Sequence, residues 1–220
     1  MTSLSFDELK RRHRSEREAY PEGLNLRVHR ALSWLKRAES CEDDDSKLIF
    51  LWIAFNAAYA CDIPIEYRPG EQHVFGDFIS RLNAHDRQER LSQLVWQSFT
   101  GPIRVLLDNQ FVFQPYWDHL NGKVSEEAWK ASFIRAKGAA SKALSNNDTP
   151  KLLSIVLARV YTLRNQLVHG GATWNSAVNR NQVRDCTHLM QELVPSIITI
   201  MMDAAQSHWG DPYYPVISDS

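Results

Sequence analysis

The fourteen residues KLIFLWIAFNAAYA, Lys47 to Ala60, contain one charge and one amide among otherwise apolar and aromatic side chains. Wound at 3.6 residues per turn, such a run is apolar on every side rather than along one stripe. A helix of that kind has no face to give to water and must be enclosed by other elements. It is also shorter than the ~20 residues needed to cross a bilayer, and no other uninterrupted apolar run in the chain reaches that length. The segment therefore demands a bundle built around it.

The flanking patterns supply the partners. Leu24, Val28, Ala31, Leu32, Leu35 and Ala38 recur at three- and four-residue steps, which predicts one amphipathic helix. The acidic turn CEDDDS follows, with Asp45 or Ser46 placed to cap the helix after it. Asp62, Pro64, Pro69 and Gly70 break the chain, and residues 71–97 form a polar helical stretch containing HDRQERLSQLVW. A further helical layer spans 99–145, interrupted by Pro115 and by Asn121 and Gly122. The loop SNNDTP then launches a helix whose stripe is Leu153, Val156, Leu157, Val160, Leu163 and Leu167, ended by Gly170 and Gly171 in the manner of a C-terminal cap. From about Asn179 a last long helix aligns Val183, Cys186, Met190, Leu193, Ile197 and Met201, with a kink expected at Pro195. The tail WGDPYYPVISDS reads as loose. The expected architecture is all-α: an antiparallel four-helix-bundle core (about 24–61 and 150–208) with a helical insertion (about 71–145), in one domain over 1–220.

Composition narrows the function classes. A net charge of -1 and a pI near 6.7 leave nucleic-acid binding to a local patch. Residues 1–40 hold nine Lys or Arg against six Asp or Glu, and Arg11 and Arg12 lie in the basic run KRRHRSER, which reads as an RNA-backbone contact or as a solvated helix face. Cys41, Cys61 and Cys186 are too far apart for a structural zinc site or a disulfide framework. His85 with Glu89, and His188 with Glu192, stand one helical turn apart without further ligands and read as surface ion pairs. No metal or cofactor is expected. The stretch MTSLSFDELKRRHRSER has no apolar core of the sort a secretory leader needs, so a cytoplasmic location is the expectation. There is no GxSxG, no GxGxxG and no phosphate-binding loop motif.

The stretch RNQLVHGG, Arg164 to Gly171, carries the chemistry. On a helix Asn165 and His169 lie nearly one above the other, with Tyr161 one turn earlier and Arg164 about 100° away. Histidine can take or give a proton near neutrality, and arginine can donate paired hydrogen bonds to phosphate oxygens. The same residues also suit the bland task of satisfying carbonyls at a helix C-terminus. Asn56 reads as a core amide in need of a partner or as a second polar group in the cleft, and Tyr161 as a packed ring or a base-stacking platform.

Arg164, Asn165 and His169, in that order late in a helix and followed by another long helix, resemble the signature of the HEPN superfamily. KLIFLWIAFNAAYA, and NQFVFQPYW with the later EEAWKASF, are similar to bacterial HEPN proteins carrying a helical insertion. The resemblance covers about residues 24–205. It implies a metal-independent endoribonuclease whose motif helices face each other across a homodimer cleft. His169 would then be the general base or acid, Arg164 the phosphate ligand and Asn165 the orienting amide. The RNA 2′-hydroxyl would attack, leaving a 2′,3′-cyclic phosphate. RNA, transfer RNA included, and an antitoxin or other regulatory partner in a defence or toxin system are the implied partners. Gly171 stands where the branch regulated by nucleotidyl transfer has a tyrosine, which argues against that regulation. The alternative is a non-catalytic HEPN module that binds nucleotide, RNA or a protein partner through the same cleft.

Overall fold

The computed structural model describes residues 4–60, 71–212 and 214. Ten α-helices follow one another: α1 (Phe6–Glu16), α2 (Glu22–Glu39), α3 (Asp44–Tyr59), α4 (Glu71–His85), α5 (Arg90–Gln93), α6 (Thr100–Asp108), α7 (Gln114–Leu120), α8 (Glu126–Ser145), α9 (Thr149–Val168) and α10 (Arg180–Asp203). No strand occurs among the described residues, and none of their helices is long and apolar enough to cross a membrane. The break at Asp62–Gly70 and Cys61 lie outside the described residues.

As its composition demands, α3 is enclosed. It packs against α2, α9 and α10, burying Leu48, Leu51, Trp52, Ala54, Phe55 and Ala58. The α2 stripe is buried as its spacing predicts, and so is that of α10. Segment 71–145, read from sequence as an insertion, divides in two. Its first helix, α4, lies against α9 and α10 and adds Phe75, Ile79 and Leu82 to the same core. Phe75 meets Trp52, Phe55, Tyr59 and Tyr161, so the aromatic centre of the bundle needs α4. Helices α6–α8 form an outer layer on α9, with a small aromatic cluster of Phe113, Tyr116, Trp129 and Phe133. Pro115 falls in the first turn of α7, where a missing donor costs nothing. Pro195 does not end α10, which continues through it to Asp203.

Two sequence expectations are corrected by buried polar contacts. The cap of α3 is Asp43, whose side chain accepts from the Ser46 amide. Asp45 points inward instead, accepting from the Arg180 guanidinium at 2.8–2.9 Å and from the Asn175 amide at 2.9 Å. It ties the start of α3 to the loop between α9 and α10. The C-terminal tail, read as loose, is pinned where it is described: Trp209 is buried, the buried Arg27 of α2 donates to the carbonyls of Gly210 and Asp211 as well as to that of Ala58, and Arg30 donates to the carbonyl of Tyr214.

Helix α1 docks through His13, which is 3% exposed. Asn25 spends its NH2 on the carbonyls of Arg17 and Tyr20, so its Oδ1 must accept from His13 Nε2. That leaves His13 Nδ1 buried without a partner among the described residues. Burial, with Lys10, His29 and Arg17 nearby, holds the imidazole pKa below its usual 6.5 despite the Asn25 bond. Folding thus favours the neutral ring. Between the unfolded and the lowered folded pKa the unfolded chain binds more protons, so stability falls as pH drops from about 6.5. His13→Gln should flatten the dependence of urea-denaturation stability on pH between about 6.5 and 5. Asp45→Ala, which strands Arg180 in a partly buried site, should cost about 2–4 kcal/mol. Arg184→Ala, at an exposed pair with Asp185, should cost less than about 0.5 kcal/mol.

Candidate functional site at the end of helix α9

Helix α9 starts where Asp148 accepts from the Lys151 amide at 3.0 Å, with Pro150 in the first turn. Of its stripe, Leu153, Val156, Leu157, Val160 and Leu163 are buried and Leu167, in the last turn, is partly buried against the same core. At its other end the Gly171 amide donates to the Gln166 carbonyl at 2.7 Å and the Gly170 amide to that of Leu167 at 3.3 Å. This pair of bonds, with Gly170 at φ +70°, closes the helix as a Schellman motif. A Cβ on Gly171 would lie 3.2 Å from the Gln166 carbonyl oxygen, so both glycines are set by the turn.

The turn positions the three motif residues. Arg164 Nη1 donates to Asn165 Oδ1 at 2.7 Å, and its guanidinium lies 5.7–5.8 Å from the ring centroids of Tyr161 and Trp52. The amide and the arginine are thus held together against the aromatic centre, leaving most of the guanidinium N–H groups unused. His169 is the C-cap residue, its amide bonded to the Asn165 carbonyl at 2.9 Å. Its exposed ring has no partner among the described residues.

The other sequence candidates divide. Tyr161 is half-buried and packed on Trp52 and Phe75, as a core ring would be. Asn56 is partly buried, and its Oδ1, shielded from solvent, has no partner among the described residues. It stands one turn after Trp52, whose ring Arg164 covers. Arg12 pairs with Glu16 and with Asp203 at the far end of α10, and Arg11 is exposed on α1. Helix α10 has 24 residues and so spans roughly 35 Å, with Arg180 beside the motif loop and Asp203 at the opposite end. Within one chain, Arg12 is therefore not brought to the motif. Neither one-turn histidine pair forms an ion pair among the described residues; His85 meets Ser207 and Trp209 instead. Among those residues no group of three or more His, Cys, Asp or Glu is placed to hold a metal ion.

Several residues here gave no sequence signal. Gln166, inside the motif, is a latch: its amide nitrogen donates to the Phe111 carbonyl, and its Oε1 accepts from Asn179 at 3.3 Å. Trp174 is 73% exposed just beyond the motif. Burial would raise the Asp43 pKa, but the Ser46 amide and hydroxyl, with Trp174 nearby, outweigh it and hold it below the ordinary carboxylate value. Val168 (50% exposed) and Val178 (68%), on either side of Trp174 in sequence, are exposed as well.

Arg159, also on α9, is 4% exposed and stacks its guanidinium 4.2 Å from the Phe113 ring centroid, with Phe133 at 5.7 Å. Burial lowers its pKa to about 10, which leaves it charged at neutral pH. No hydrogen bond or ion pair reaches it among the described residues, and its Nε is sealed from solvent. Stacking on aromatic rings contributes about 2 kcal/mol, whereas desolvating a cation costs several.

No family model, curated protein or solved structure matches the chain.

The cap geometry is open to a direct comparison. Gly170→Ala, which forces a side chain into the left-handed region, should destabilise by about 1 kcal/mol in urea denaturation. Gly138→Ala in α8, where nothing lies within 4 Å of the added Cβ, should stabilise by about 0.5–1 kcal/mol. Equal effects would mean the Gly170 cap does not set the end of α9.

Proposed function

We propose that the chain is a metal-independent endoribonuclease of the HEPN type, acting as a homodimer, with Arg164, Asn165 and His169 at its site. One observation carries the reading. An exposed imidazole, without a partner among the described residues, stands at the C-cap position of the helix on which an arginine and an amide are already held in contact. That arrangement suits a phosphodiester: His169 removes the proton of the 2′-hydroxyl, the freed oxygen attacks phosphorus, and Arg164 neutralises charge gathering on the non-bridging oxygens. The 5′ oxygen leaves with a proton, for which a second acid is required. A symmetric partner supplies it as a second His169. The products are a 2′,3′-cyclic phosphate and a 5′-hydroxyl.

The exposed side chains of Val168, Trp174 and Val178, in and just after the motif, support the dimer, because a second copy laid against them would remove apolar surface from water. An RNA-cleaving activity of this kind suits a defence or toxin system held in check by an antitoxin or other partner.

The test is cleavage of total and transfer RNA in excess EDTA, with the new ends typed. Cleavage should leave cyclic phosphates, survive chelation, and fall by about 10²–10³ or more in His169→Ala and Arg164→Ala. A wild-type chain that cleaves nothing, or cleavage indifferent to both substitutions, sinks the proposal.

A further inference from the structure

A cavity of about 520 Å³ opens between α4, α8, α9 and the start of α7. Its volume is that of a small-molecule site. Arg159 lines it, buried and without any hydrogen-bond or ionic partner among the described residues. Phe113 covers the face of the guanidinium, which leaves its edge as the place for an acceptor. A desolvated cation of this sort is normally matched by an anion, and none is provided among the described residues.

The rest of the lining limits what that anion can be. Pro115, Ile155 and Ala136 present apolar surface, while Ser80 and Gln114 bring polar groups to the walls. The charged side chains around the opening are Asp77, Asp148 and Lys151, all exposed. Two carboxylates at the mouth oppose a polyanion, so an RNA strand does not fit this site. A single oxyanion entering ahead of an apolar body does fit, since it passes the screened rim and reaches an unscreened cation.

We propose that this cavity binds a small organic oxyanion, a carboxylate or phosphate ester with an apolar body, gripped through the paired N–H donors of Arg159. The site stands apart from the motif at the end of α9 and does not depend on how that motif is read.

The experiment is thermal unfolding of the full chain with benzoate, phenyl phosphate or inorganic phosphate, against chloride at equal ionic strength. Benzoate or phenyl phosphate should raise Tm saturably, by about 5 °C at a hundredfold excess over Kd, and more than inorganic phosphate does. Which of the two saturates at lower concentration assigns the headgroup. Arg159→Met, similar in length and apolar, should abolish the shift without lowering the ligand-free Tm. Ala139→Trp, at an exposed position on the lining, should block the cavity while keeping Arg159 and the helical circular dichroism, and it carries the comparison if Arg159→Met does not fold. No saturable shift with any probe, or equal shifts in wild type and variants, overturns the proposal.

Discussion

A helix that after its first turn is apolar on all its sides has to be wrapped, and wrapping it takes more than one partner. Helix α3 is met by α2, α9 and α10, and α4 closes the aromatic cluster that Trp52 and Phe55 begin. The motif helix α9 has its place because α3 needs covering there. Arg164 then lies on the ring of Trp52, a core residue of α3, so the polar end of α9 and the apolar centre of the bundle are in direct contact. The site is supported from beneath by the same side chains that hold the fold.

Electrostatics organises the ends of the helices where packing cannot. The loop from Gly170 to Asn179 contains three residues at positive φ, Gly170, Asn175 and Asn179, an arrangement with little intrinsic preference for one shape. Asp45 fixes it from the start of α3 through Arg180 and Asn175, and Gln166 fixes it from within α9. His169 and Trp174 are therefore presented from a braced surface.

The apolar periodicities of α2, α9 and α10 were legible because burial of a stripe depends on spacing alone, and the capping glycines because their backbone role admits few substitutes. Buried charge was not legible. Asp45 sits in an acidic run that reads as a cap, Arg27 sits beside an apolar stripe, and Arg159 is one basic residue in a helix with others; nothing local separates a desolvated charge from a solvated one. The role of α4 was hidden for a different reason. Phe75, Ile79 and Leu82 are spread among polar neighbours, and only the adjacency of α9 and α10 shows that they complete the core. Of the candidate site, the order of Arg164, Asn165 and His169 was visible, while the Arg164–Asn165 contact and the exposed Trp174 depend on how the chain turns after Gly171.

Arg27 gives the last stretch of chain a structural duty. Its guanidinium is buried between α2 and α3, and two of its three named acceptors are carbonyls more than 180 positions away, at Gly210 and Asp211. A polypeptide still emerging from the ribosome has Arg27 and Ala58 in hand long before those carbonyls exist. The bundle can assemble around α3 during synthesis, but the seal over this cation forms only once Gly210 and Asp211 have been made. At this one position the core waits on backbone that is made long after the helices it seals.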